Sequence, residues 1–238
     1  MRYLKNLLFL LLLLSFSCKK AFQISFSEIH MSSKNNDIVE INIPKASGMS
    51  SVVNLINSSI TNNVIASIRT GDVNETQPKT ISESIDAFVK EYDSFKLDYP
   101  ESSPNWEVQI DGEVLHQSEE LISIALTAYT NTGGAHGNSK ITFLNFNTKN
   151  GKLIPNTALF SDIDGFKTIA EPYYQKSIED KNILLNQNQF KLPSNMAYTE
   201  DGLIFLYNTF EIAAYSEGII EFKIPFDEAK PYLLFNNF

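Results

Sequence analysis

The side chains in this sequence able to do chemistry include three histidines, one cysteine and several adjacent carboxylate pairs, and their spacing permits little of it. His30, His116 and His136 lie far apart, and none belongs to a His-x-His or His-x-x-x-His pair that would seed a metal centre. No metal or cofactor is expected. Gly-x-Ser-x-Gly is absent, and Cys18 stands alone, so no nucleophile with a nearby base is apparent. Glu119-Glu120, Glu179-Asp180 and Glu200-Asp201 are such pairs. Glycoside hydrolysis needs two carboxyls facing each other at roughly 5 to 9.5 Å. Neighbours on a strand point to opposite faces, and each pair sits beside a predicted loop, so these read as solvated surface.

One stretch concentrates what remains. Tyr129-Thr130-Asn131-Thr132-Gly133-Gly134-Ala135-His136-Gly137 lies between two apolar runs and gathers three glycines and a histidine. Gly133 and Gly134 take positive φ freely, which predicts a chain reversal. A lone histidine in such a turn serves more often as a hydrogen-bond partner than as a ligand. The glycines sit between strands and do not form a phosphate loop. An enzyme using His136 with loop carboxylates stays as the alternative reading.

The first residues set a compartment. Arg2 and Lys5 precede an apolar run from Leu7 to Leu14, then Ser15-Phe16-Ser17-Cys18. A short apolar core behind two positive charges describes an export signal, and it is shorter than the roughly 20 residues of a spanning helix. The only cysteine directly after Ser17 is the expected lipid attachment site, although Ser15 stands where such signals carry Leu. Without residues 1–17 the chain keeps 17 basic against 28 acidic residues, a net of −11, and Arg69 is its only arginine. That balance excludes nucleic acid and arginine-rich phosphate sites. The expected plan is a signal peptide at 1–17, an anchor and linker at 18–30, an N-terminal α+β domain at 31–145 and a C-terminal α+β domain at 146–238.

The elements follow from periodicity. Residues 22–26 and 38–43 alternate as half-buried strands. Val53, Ile56, Ile60, Val64 and Ile68 fall on one face of a helix. Thr80 with Glu83 is a capping box, and Ile81, Ile85, Phe88, Tyr92 and Phe95 form the stripe of a second helix. Trp106 to Ile110 alternates, and Asp111-Gly112 is expected to turn. Leu121–Tyr129 and Ile141–Phe146 are apolar on both faces and read as central strands. Asn150-Gly151 turns, a helix carries Ile163, Phe166, Ala170 and Tyr173 with a kink or restart at Pro172, and 182–202 reads as loop. Leu203–Tyr207 and Ile219–Ile224 are the last strands. The fold class is α+β: an N-terminal α/β portion with two helices on antiparallel strands, followed by a C-terminal α+β portion.

The Tyr129–Gly137 turn, Phe143-Leu144-Asn145-Phe146-Asn147 with Asn150-Gly151-Lys152-Leu153, and Phe210-Glu211-Ile212-Ala213-Ala214-Tyr215-Ser216-Glu217-Gly218 before Ile224-Pro225-Phe226 together resemble a known family. They are similar to the extracytoplasmic domain of RsiV-type proteins, also found in front of some peptidoglycan deacetylases. Asn131, Asn147, Phe210 and Ala214 depart from that pattern. The resemblance spans roughly residues 25–235. It implies a non-enzymatic domain, and in RsiV-type receptors similar domains bind lysozyme. The anti-sigma segment of those receptors has no counterpart among the six residues before the apolar run.

The expectation is therefore a membrane-anchored lipoprotein of the cell envelope, facing the periplasm or exterior, that binds a protein or a cell-wall glycan without catalysis. Gly133, Gly134, His136, Tyr215 and Glu217 are its candidate binding residues. The two motifs are expected to meet in space. Replacing Cys18 with Ala is predicted to release the protein from the membrane fraction; retention after a high-salt wash would place the anchor elsewhere.

Overall fold

The computed structural model describes residues 24–34, 37–69, 78–101, 106–184 and 190–237. Cys18, the signal and Phe22 lie outside the described residues. Five strands form the larger sheet in chain order: β1 (Ile24–Ser32), β2 (Val39–Gly48), β3 (Trp106–Gln117), β4 (Leu121–Thr132) and β5 (Asn138–Asn147). Neighbours are antiparallel except β2 and β3, which run parallel with Val39 opposite Val108. The expectation of antiparallel strands throughout is corrected there. Parallel neighbours cannot be joined by a tight turn, and the crossover is the helix pair α1 (Ser50–Ile68) and α2 (Ile81–Asp98).

Both helices lie on the sheet through the stripes read from the sequence. Val53, Ile56, Ile60, Val64 and Ile68 of α1 are buried in one core with Val39, Ile41, Ile43, Val108, Ile110, Ile122, Ile124 and Leu144. Each contributes about 1.5–3 kcal/mol relative to an exposed position. Thr80 accepts from the Glu83 amide at 3.1 Å while the Glu83 carboxylate accepts from the Thr80 amide at 3.2 Å, which starts α2. Phe88, Tyr92 and Phe95 then gather on Trp106 with ring centroids 5.4, 5.8 and 5.5 Å away.

The other face of the large sheet is covered at β4 and β5 by a second sheet, β6 (Asn195–Tyr198), β7 (Gly202–Tyr207) and β8 (Ile220–Pro225), all antiparallel. Alternation on β7 divides its side chains. Ile204 and Leu206 join Phe143 of β5 and Ala197, whereas Leu203, Phe205 and Tyr207 join Phe166, Ala170 and Tyr174 of α3 (Ile163–Ser177). The layers run helices, five strands, three strands, helix, with the short α4 (Phe226–Ala229) closing one end.

What binds the sheets is polar as well as apolar. β5 and β6 are both edge strands, and each edge is satisfied by side chains of the other unit. On β5 the Phe143 amide donates to Asn195 Oδ1 (2.7 Å), and the Ile141 amide donates to Asn208 Oδ1 (2.8 Å). The Ile141 carbonyl accepts from Asn195 Nδ2 (2.8 Å) and Asn208 Nδ2 (3.0 Å). On β6 the Tyr198 amide donates to Ser123 Oγ (3.1 Å) and the Met196 carbonyl accepts from Asn145 Nδ2 (2.8 Å). Ser123 Oγ in turn donates to Asn145 Oδ1 at 2.5 Å, so these buried groups are mutually paired.

Several expectations need correction. The linker drawn to residue 30 is too long, because Ile24–His30 already pair with β2. Asp111-Gly112 is no turn: β3 runs through it, and a Cβ at Gly112 would lie 2.5 Å from Pro44 Cδ, so this glycine permits close strand packing. The register break falls instead between Val114 and His116. Helix α3 continues unbroken through Pro172, which is exposed together with Thr168, whose carbonyl loses its partner on the solvent side. The stretch 182–202 contains β6, a strand without alternation because all four residues are buried.

Candidate functional site

The glycines of the β4–β5 hairpin are not equivalent. Asn131 Oδ1 accepts from the Gly133 amide at 2.9 Å, and Gly133 adopts φ 83°. Gly134 has no positive φ, and a Cβ there would have room, its nearest neighbour being the His136 carbonyl at 3.8 Å. Gly137 is needed for another reason: a Cβ there would collide with the Tyr129 ring, which lies over it. Residues Gly133 to His136 are exposed as a result.

The late motif arrives on this hairpin from the second sheet. Between β7 and β8 the chain makes a single 3-10 turn at Tyr215–Glu217, closed by Gly218 at φ 70°. The Tyr215 hydroxyl donates to the Gly137 carbonyl at 2.7 Å. Its ring stacks on the His136 imidazole with centroids 3.9 Å apart and planes 14° from parallel. The expectation that the two motifs meet is met, through the stacking of Tyr215 on His136 and its bond to the Gly137 carbonyl. Aromatic pairs stabilise by about 0.5–1.5 kcal/mol beyond area burial.

Phe210, which the sequence reading had not counted among the binding residues, extends the array. It is 63 % exposed, its ring centroid is 5.5 Å from that of Tyr215, and its φ is 67°. A bulky residue in that region stores strain, and the surrounding turn holds it there. No periodicity announces such a residue; the signal available was an aromatic among the turn formers Asn208 and Thr209. Glu217 points the other way. Lys181 Nζ donates to its carbonyl at 2.9 Å and sits 4.0 Å from its half-buried carboxylate, so this residue anchors the turn.

The remaining candidates do not converge on the hairpin. His30 Nδ1 is 2.8 Å from Asn42 Oδ1, and Asn42 Nδ2 donates to Asp111 Oδ1 at 3.1 Å, on the exposed side of β1–β3. His116 is packed between the sheets, with Nδ1 3.1 Å from the Thr199 carbonyl; burial pulls its pKa below the ordinary value, against the effect of that hydrogen bond. Glu119-Glu120, Glu179-Asp180 and Glu200-Asp201 occupy the β3–β4 turn, the segment after α3 and the β6–β7 turn. Among the described residues no three His, Cys, Asp or Glu side chains gather as a metal site requires. Among the described residues, the hydrogen-bonding contact of His136 is Nδ1 to the Gly137 carbonyl, at 3.3 Å.

Two family models divide the chain at this contact. Residues 32–139, which contain the hairpin, match the model described as Deacetylase PdaC, and residues 157–227, which contain the Tyr215 turn, match Protein of unknown function (DUF3298). The pair agrees with the broader part of the resemblance, a domain of the kind found in front of peptidoglycan deacetylases. No curated protein matches the chain. A DUF3298 family protein from Pseudomonas aeruginosa PAO1 has a similar fold, at 19 % identity and TM-score 0.58 over 91 % of this chain and 96 % of its own. A member of the same family from Bacteroides fragilis NCTC 9343 is similar at 19 % identity and TM-score 0.60, over 91 % and 95 %.

Gly133→Val is predicted to lower unfolding free energy by about 1–3 kcal/mol, because a β-branched residue cannot sit at this φ without strain. Gly134→Ala, with room for its methyl group and no positive φ, is the control expected to change little. Urea titrations of the two variants giving equal midpoints would remove the assigned difference.

Proposed function

We propose that this chain is a lipid-anchored, RsiV-type binding protein of the cell envelope with no catalytic activity of its own, and that its ligand, a protein, docks on the surface made by Gly133, Gly134, His136, Tyr215 and Phe210. The observation that carries the reading is the three-ring array, with His136 and Phe210 exposed on either side of a half-buried Tyr215, in which Phe210 is strained and Tyr215 is held by its hydroxyl. Rigid aromatics that lose little entropy on contact are the usual energetic centres of protein interfaces. A net charge of −11 for the chain without residues 1–17 favours a basic partner, of which a lysozyme-like protein is the example that the resemblance supplies.

Two further readings have specific support. Flat exposed rings also suit the apolar faces of sugars, which keeps cell-wall glycan as the second ligand class. The word deacetylase in the description of the model matching residues 32–139 favours an enzyme acting on glycan. Against that stands the placement of His136, flat against Tyr215 and hydrogen-bonded to a carbonyl, with no carboxylate among the described residues bonded to it.

Binding of the full chain in detergent to a panel of lysozymes and to solubilised peptidoglycan strands tests this directly. The expected result is saturable binding to a lysozyme, weakened about tenfold or more by Phe210→Ala and by His136→Ala while circular dichroism is unchanged. Binding to glycan alone would transfer the surface to the second class. Absence of binding to either, or variants that bind as the parent does, would overturn the proposal.

A further inference from the structure

At the junction of the sheets, side chains partner backbone groups on both facing edges, and this throws the outer edge of β8 into relief. Its hydrogen-bonding phase can be worked out from two contacts. The Phe226 amide donates to the Asp201 carbonyl at 3.2 Å, one step beyond the Gly202–Pro225 pair, and the Thr199 amide donates to the Gly202 carbonyl at 2.8 Å on the other side of β7. Bonded and non-bonded pairs alternate along an antiparallel ladder. Ile224, Phe222 and Ile220 therefore bond to β7, and the backbone N–H and C=O of Glu221 and Lys223 point away from it. Both residues are exposed, and no described residue bonds to either.

The side chains on this edge complete the pattern. Strand edges exposed to solvent are commonly protected by charge, and a lone lysine would do that. Here Lys223 stands two residues from Glu221, on the same face and in the same bonding phase. A two-fold axis through Phe222 places Glu221 of one copy opposite Lys223 of the other, and repeats the pair on the other side of the axis. Both are then bonded pairs, each exchanging two backbone hydrogen bonds, with opposite charges directly facing. Pro225, which has no N–H, ends the ladder at either side.

We infer that the β8 edge is an isologous docking surface for a second copy of this chain, joining two three-stranded sheets into one of six strands. This rests on β8 alone and is independent of what docks on the aromatic array. Self-complementary contacts of this kind close as dimers, because the same patch is used on both sides. In the dimer the two aromatic arrays would be presented together, so a ligand with repeated sites would gain avidity.

Sedimentation velocity of the full chain carrying Cys18→Ala, which avoids association through shared micelles, is the test. The expected result is a monomer–dimer equilibrium that weakens by about tenfold or more with E221K or with K223E, since each places like charges opposite each other twice. The double swap E221K/K223E restores opposite pairs and should restore the dimer. Circular dichroism should be the same for all four proteins, because both positions are exposed. A monomer at every concentration, a dimer indifferent to both single reversals, or a double swap that fails to recover association would each overturn the inference.

Discussion

The rest of the structure depends on unpaired backbone groups at two strand edges having to find partners away from water. β5 ends the large sheet and β6 ends the small one, and they are buried against each other without forming a common ladder. Each orphaned group in such a place would cost about 1–3 kcal/mol. Asn195 and Asn208 reach across to Ile141 and Phe143, while Ser123 and Asn145 reach back to Tyr198 and Met196. Apolar packing of Phe143, Ala197, Ile204 and Leu206 supplies attraction between the sheets but little direction. The amide contacts supply the direction, because only one relative placement satisfies all of them.

From that placement the aromatic array follows. Asn208 is the first residue after β7, so its bonds to Ile141 fix where the long connection to β8 begins, beside the β4–β5 hairpin. The connection then lays Tyr215 over His136, with Lys181 holding Glu217 from behind. Phe210 is left exposed between two fixed points, which is how a costly backbone conformation persists. A rigid surface results from residues that are distant in sequence, joined by one polar seam.

Much of this was legible in the chain and some was not, for physical reasons. The stripe from Val53 to Ile68 and the Thr80–Glu83 box identified the helices because their period and capping are local properties. The Gly133 turn was legible for the same reason. Asn195 and Asn208 were not, since asparagine is a turn former by local preference and nothing in its neighbourhood reveals that its amide will cap a distant strand. β6 was hidden by burial on both faces, and Asp111-Gly112 mimicked a turn because glycine serves both reversal and close strand approach. Of the ring contacts, the meeting of the two motifs was expected, but the exposed Phe210 was not.

Amide hydrogen exchange at Phe143 tests the polar seam most directly, since that N–H has a side chain, Asn195, as its partner. The account predicts protection at Phe143 approaching that of amides inside the sheet, falling at least about tenfold in Asn195→Ala while the amides between β1 and β2 keep theirs. A Phe143 amide that exchanges as fast as a free edge in the parent protein, or one that ignores the loss of Asn195, would contradict it.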